Sequence, residues 1–248
     1  MSGPAVRAVA VILHYGQARL TRRLHEQLLP EARAADTPVL VLDNASPEPY
    51  DNAWVRLPEN RFWAGAFAHA AATARDMGRS HVWFFNNDVV FTSRPPHIGR
   101  ALGRLARIEA AVGPVGLYSP AFEASPYHPQ MVARPGGGYR LVRLLDGVAP
   151  LVSLDCLEAV GGLDADDNPR GYGVDVWLSV RAHEAGWKLV VDHQVTLRHR
   201  HHTAARAVPG FLEAAARDEA AYLRARLGDG YRARLQAWQA ETTEAEGL

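Results

Sequence analysis

The sequence predicts an α/β protein: a mainly parallel mixed sheet flanked by helices, followed by a helical tail. Three observations predict it. Short apolar runs rich in strand-forming residues stand at 8–13, 39–42 and 81–85, each too short for a helix of its own. Segments with helical spacing of apolar residues alternate with them, the pattern of βαβ units. Each run also ends abruptly in polar turn formers: His14-Tyr15-Gly16, Asp43-Asn44-Ala45-Ser46 and Asn86-Asn87-Asp88. Polar groups at the carboxyl edge of such a sheet lie where α/β proteins bind ligands.

Taken in order, the first run is followed by Leu20, Leu24 and Leu28 at helical spacing, with Arg19, Arg22 and Arg23 opposite and Pro30 as the stop. Asn60 through Gly65 open an alanine-rich helix that runs to about Met77 and stops at Gly78. The run at 81–85 breaks at Asn86-Asn87-Asp88 and resumes as Val89-Val90-Phe91. Ile98, Leu102 and Leu105 mark a further helix, and 115–118 a strand. Residues 119–138 are rich in Pro, Gly and His without a period and read as a long loop, with Gly136-Gly137-Gly138 its flexible part. A strand at 148–153, a helix at 155–160, a helix at 173–185 stopped by Gly186, and a strand at 188–197 follow. Two amphipathic helices close the chain, one lined by Leu212, Ala216, Leu223 and Leu227, the other by Tyr231, Leu235 and Trp238. The expected division is an α/β domain over 1–202 and a helical extension over 203–248 packed on it; the apolar stripes of that extension also suit a homodimer.

Composition narrows the function. The 248 residues are 48% hydrophobic and 22% charged with zero net charge, so nothing favours a nucleic-acid partner. Cys156 is the single cysteine, which fits a reducing compartment. No apolar run reaches the ~20 residues a membrane helix needs, and residues 1–6 lack the apolar core of a signal peptide. The expectation is a cytoplasmic protein. The first strand is followed by neither Gly-x-Gly-x-x-Gly nor a glycine- and arginine-rich loop, which disfavours a nicotinamide-dependent dehydrogenase and a sugar-phosphate nucleotidyltransferase.

Six segments in order carry a resemblance to a known family: strand ends at His14-Tyr15 and at Asp43-Asn44-Ala45-Ser46, Asn60 to Gly65 before the alanine-rich helix, the strand end at Asn86-Asn87-Asp88, Glu158 to Asp164, and Gly173-Val174-Asp175 through Arg181. With Ala185-Gly186 and a strand ending in histidines, residues 7–202 resemble the family-two nucleotide-sugar glycosyltransferases of the GT-A fold. The resemblance implies that Asp43 holds the nucleobase beside His14, Tyr15, Gly16 and Asn44. Asn60 and Gly65 then admit the diphosphate-sugar, with Asn86 and Asn87 lining the same site. It further implies that Asp88 binds a divalent cation, Mg²⁺ or Mn²⁺, on the diphosphate, completed by His199 or else His201. Asp175 would be the general base that deprotonates an acceptor hydroxyl, inverting the anomeric centre in a single displacement.

Two departures mark this chain. The triplet begins with Asn86 where relatives often have Asp, leaving one carboxylate, and the helix that usually carries paired acids has Asp175 alone. A catalytically degenerate sugar- or nucleotide-binding protein is therefore the alternative. Each residue also has a plain structural reading. Asp43 can close its turn by bonding Ser46, Asn60 can cap a helix, and Asp175 can sit at a helix N-terminus for its dipole. Trp63 and Trp177 suit a core as well as a sugar. Asp164, Asp166 and Asp167 read as a solvated acidic turn, and His193, His201 and His202 as largely solvated histidines.

Overall fold

The computed structural model describes residues 6–164, 168, 170–200 and 205–247. The strands are β1 (Ala8–His14), β2 (Val39–Asp43), β3 (Val55–Arg56), β4 (His81–Asn86), β5 (Val89–Phe91), β6 (Val115–Phe122), β7 (Tyr139–Val142), β8 (Leu151–Ser153), β9 (Lys188–His199) and β10 (Thr242–Ala245). The helices are α1 (Ala18–Leu28), α2 (Phe62–Asp76), α3 (His97–Val112), α4 (Leu154–Ala159), α5 (Val174–Glu184), α6 (Phe211–Leu227) and α7 (Tyr231–Ala240). The strands form one sheet in the order β10-β7-β9-β6-β8-β4-β1-β2-β3, with β5 paired to β9. The β4-β1-β2-β3 block is parallel, β8 enters antiparallel, and β6 pairs parallel with β9. The expected mixed α/β sheet is what the chain forms.

Apolar runs make this sheet because both faces are covered. Trp83, Phe84 and Phe85 of β4 are fully buried, as are Val9 to Ile12 of β1. Leu24 and Leu28 of α1 pack into the same core, so Leu24→Ala would cost about 2–5 kcal/mol. A second core joins α5 to the tail, with Val176 and Val180 against Tyr222, Leu223, Leu227 and Tyr231. The stripes of the tail helices are thus engaged within the chain. In α6 the buried residues are Ala215, Tyr222, Leu223 and Leu227; Ala216, expected on that stripe, is exposed, and Leu212 is half-buried.

The sequence reading of the middle segment needs correction. β6 runs on to Phe122 through Pro120, where its register with β9 shifts, and β7 stands where no strand was expected. The tail is helical but ends in β10, which pairs antiparallel with β7. Gly138 is accordingly not a flexible loop residue. A Cβ there would stand 2.6 Å from the Ala245 carbonyl oxygen, so the close approach of β10 needs glycine. A buried network ties this half together: Asp192 of β9 accepts from Arg104 of α3 and from the Tyr118 hydroxyl of β6, at 2.6 and 2.7 Å. Burial, then the Asp192 charge, push the Tyr118 pKa well up. Among the described residues, no helix is long and apolar enough to cross a membrane.

Candidate functional site

The register of the central strands sets the first half of the site. His14 lies opposite Asp43 and Leu13 opposite Asn86, so the three polar strand ends form one row at the carboxyl edge. Most polar groups in this row already have protein partners. The Asp43 carboxylate, 1% exposed, accepts the N–H groups of Ser46 (2.8 Å) and Tyr50 (3.2 Å) and an Arg56 guanidinium N–H (2.7 Å). The bond to Ser46 offered as the plain reading is therefore present. His14 is buried with both ring nitrogens engaged, by the Thr21 hydroxyl and the Glu48 carbonyl, each at 2.6 Å. Its ring faces the protein, and Tyr15 and Gly16 supply the exposed part of the turn. Gly16 adopts φ 90°, a region that favours glycine, and donates its N–H to Ser46 Oγ.

Asn44 and Asn60 tie β2 to the start of α2. Asn44 donates to Asn60 Oδ1 (2.8 Å) and to the Phe62 carbonyl, and accepts the Arg61 N–H. Asn60 in turn accepts the Phe62 N–H at 2.8 Å, a local turn contact two residues on; the cap position of α2 is Arg61, so Asn60 is not the helix cap the sequence suggests. Gly65 faces Arg61: a Cβ there would stand 2.9 Å from Arg61 Cβ. Asn87 donates to the Tyr15 carbonyl and to Thr21 Oγ1, while Asn86 is half-buried and donates its backbone N–H to the Val148 carbonyl.

The second half is built by long-range pairing. β5 runs antiparallel to β9 with Val89 opposite His199, which carries Asp88 and His199 together although 111 positions apart in the chain. Asp88 Oδ1 lies 3.2 Å from His199 Nε2, both residues largely buried. Burial pulls the imidazole pKa down, but the hydrogen bond and charge of Asp88, with the charge of Asp146, outweigh it and leave it raised. The pair fits a divalent cation. Two ligands each about 2.1 Å from one ion and at right angles lie about 3 Å apart, and an oxygen–nitrogen donor set suits Mn²⁺ better than Mg²⁺. Among the described residues no third His, Cys, Asp or Glu joins them in a metal-binding group. His201 and His202 lie outside the described residues.

Asp175 lies in the first turn of α5, partly buried at the border of the stripe that Val176 and Val180 occupy. Its Oδ2 accepts the Gly147 N–H at 2.8 Å. Burial, then the negative charge of Asp146, push its pKa up; His128 and the N–H groups of Gly147 and Val176 oppose this. Glu219 of α6 is raised by burial and by Asp175. His128 Nε2 lies 3.7 Å from Asp146 Oδ2. Asp146, His128 and Glu219 were missed by sequence reasoning. Each is a lone polar residue, and only the fold brings the Asp146 charge to bear on Asp175 and His199. Their one sequence signal is that Asp146 and His128 fall in the unpatterned stretch before 148.

Other expectations resolve structurally. Trp63 donates to the Gly147 carbonyl and stacks on Phe67, as a core residue does. Trp177 packs against the second core. Asp164 is not solvated: it accepts from the Tyr222 hydroxyl and pairs with Arg226, anchoring α6. Asp166 and Asp167 lie outside the described residues. His193 is buried, 3.1 Å from Glu244 Oε2 of β10. Cys156 is buried, and burial pushes its thiol up to about 12.

No family model matches the chain. It is 30% identical over 204 residues, 80% of this chain and 76% of theirs, to the uncharacterized proteins Rv1525 of Mycobacterium tuberculosis (strain ATCC 25618 / H37Rv) and Mb1552 of Mycobacterium bovis. Among solved structures, glucosyl-3-phosphoglycerate synthase from M. tuberculosis, in complex with Mn²⁺, UDP-glucose and phosphoglyceric acid, aligns with a TM-score of 0.60. The identity is 15% over 90% of this chain and 80% of that one. GalNAc-T7 with UDP, GalNAc and Mn²⁺ gives 0.59 at 11% identity, over 79% of this chain, which spans only 44% of that protein. The mannosyltransferase PcManGT from Pyrobaculum calidifontis, with GDP-Man and Mn²⁺, gives 0.54 at 17% identity over 95% and 75%. The expected GT-A fold is borne out.

Proposed function

The chain belongs to the family of these mycobacterial proteins and has the GT-A fold, and from that premise we propose that it is a glycosyltransferase acting on a nucleoside-diphosphate sugar. The observation that carries this reading is the meeting of Asp88 and His199, from β-segments 111 positions apart, at the sheet edge that also holds the Asp43 turn. The three fold neighbours named above are complexes with Mn²⁺ and a nucleotide or nucleotide sugar, which supports the same chemistry here.

In this reading Asp43, held by Arg56, and the Tyr15-Gly16 turn frame the nucleobase, and Asn44 and Asn60 shape the wall behind it. Asn86, Asn87, Gly65 and the start of α2 bound the diphosphate and sugar. Asp88 and His199 hold a divalent cation, which when bound offsets the negative charge that builds on the departing diphosphate. Asp175 takes the proton of the acceptor hydroxyl. Its raised pKa brings it closer to the operating pH, which favours a base. Gly147 keeps the carboxylate aimed by its N–H, and Asp146 keeps it basic. A single base and no enzymic nucleophile make the displacement inverting. The acceptor enters beside Glu219 and His128.

A thermal-shift screen of UDP, GDP and dTDP with and without Mn²⁺ tests this. A ligand that binds only the folded protein raises its stability by RT ln(1 + [L]/Kd). One diphosphate should raise Tm in the presence of Mn²⁺ and far less without it. No shift with any diphosphate would overturn the reading; cation-dependent binding without any sugar transfer or hydrolysis would favour the degenerate binding protein.

A further inference from the structure

Tyr172 lies between the two halves of the site. Glycines in the left-handed region flank it, Gly171 at φ 84° and Gly173 at φ 81°. Neither tolerates a side chain in its place. A Cβ on Gly171 would stand 3.0 Å from the Ala64 nitrogen, and one on Gly173 would stand 3.2 Å from Leu223 and 3.3 Å from Glu219. The backbone is thus wedged between α2 and α6. Asn168, 1% exposed, donates to the Tyr172 carbonyl at 2.6 Å and fixes it further.

The ring meets Phe211 edge-on at 6.2 Å, and Phe211 stacks on Phe62 at 6.1 Å with 25° between planes. All three rings are half-buried and come from separate segments. Phe62 is held at φ 50°, a conformation a bulky residue adopts only under constraint. Asn60 accepts its N–H and Asn44 donates to its carbonyl, so the strand-end network enforces it. Strain of this kind persists where the surroundings over-determine the backbone, and it clusters at ligand sites. Burial, then the charges of Glu219, Asp88 and Asp175, push the Tyr172 hydroxyl up to about 12.

We propose that Tyr172, backed by Phe211 and Phe62, is a positioning residue whose ring carries the apolar C–H face of a pyranose between Asp88 and Asp175. This rests on the glycosyltransferase reading for its setting but not for its chemistry, because C–H groups stack on an aromatic face whatever reaction follows. The pyranose is either the donor sugar or a sugar of the acceptor.

Two binding measurements on the full chain separate these. Calorimetry with Mn²⁺ compares a nucleoside diphosphate with its nucleotide sugar in the wild type, Tyr172→Phe and Tyr172→Ala. Saturation-transfer NMR then follows methyl glucoside and methyl mannoside with and without the diphosphate. A donor-sugar platform predicts unchanged diphosphate affinity but about 5–10-fold weaker nucleotide-sugar binding in Tyr172→Ala, the factor given by about 1–1.4 kcal/mol of stacking. Tyr172→Phe should restore it, and Phe211→Ala should shift it the same way by less. An acceptor platform predicts instead loss of the glycoside C–H signals in Tyr172→Ala, with nucleotide-sugar affinity intact. If the wild type binds glycosides in a Tyr172-dependent way but no nucleotide, the function proposed above fails and the platform stands. If it binds nucleotide and nothing depends on the Tyr172 ring, the platform fails and that function stands.

Discussion

The two halves of the site are both rich in polar groups but treat them in opposite ways. At the β1-β2-β4 edge nearly every one has a protein partner: Asp43 accepts three donors, His14 uses both nitrogens, and Asn44 and Asn60 bond each other. Around α5, Asp175, Asp146 and Glu219 crowd carboxylates together; His128 lies 3.7 Å from Asp146, and Arg232 also works against the upward shift of Glu219. The first half is a pre-formed frame whose bonds hold shape. The second keeps carboxylates where the folded chain resists their ionisation, a cost to stability that a proton-accepting group gives a reason to bear.

Removing the proposed base should show the largest effect. Asp175→Asn keeps the size of the side chain but cannot take a proton, and losing a general base costs about 10²–10⁴-fold in turnover. Donor affinity by calorimetry should stay near wild type, because the frame is untouched. Turnover measured as donor hydrolysis needs no identified acceptor; near-normal turnover would move the base to Asp146 or Glu219.

Asp43→Ala breaks the frame instead. It strands the N–H groups of Ser46 and Tyr50 and takes from Arg56 its carboxylate partner, leaving it the Ser46 carbonyl, so a loss of about 1–3 kcal/mol in unfolding stability is expected. The sequence alone suggests a binding defect with intact folding. A denaturant titration that finds unchanged stability together with weakened nucleotide binding would return Asp43 to a purely ligand-facing role.

The smallest effect sharpens the contrast. A carboxyl whose folded pKa is raised destabilises the fold once it ionises, so stability is lost as pH rises from the unfolded value of 3.8 through the raised folded value. Asp175→Asn should therefore raise Tm by a few degrees at pH 7, a gain of about 1 kcal/mol or less, and the gain should vanish near pH 3–4. A variant that melts lower than wild type at pH 7 would show that the Gly147 contact outweighs the cost of burying the charge.

What the sequence made legible follows the same physics. β1, β2 and β4 were readable because both faces are buried and the residues are nearly all apolar. β7 was not, since Tyr139-Arg140-Leu141-Val142 is short and becomes a strand only beside β9. β10, Thr242-Thr243-Glu244-Ala245, is a polar edge held by Arg140 and His193 on Glu244, contacts that no local pattern announces. The Asp88–His199 pair was reachable only through a resemblance, because an antiparallel pairing of β5 with β9 leaves no periodic trace. Asp146, His128 and Glu219 lie up to 91 positions apart and carry no motif.

In the proposed function Asp88 and His199 jointly hold the cation of a glycosyltransferase site. Electron paramagnetic resonance of Mn²⁺, titrated with the protein and a nucleoside diphosphate, reads this directly, because bound Mn²⁺ loses the free-ion signal. The account predicts that Asp88→Asn and His199→Ala each weaken Mn²⁺ binding by at least about 10-fold, while Asp175→Asn binds as wild type does. Wild-type Mn²⁺ affinity in both of the first two variants would contradict it.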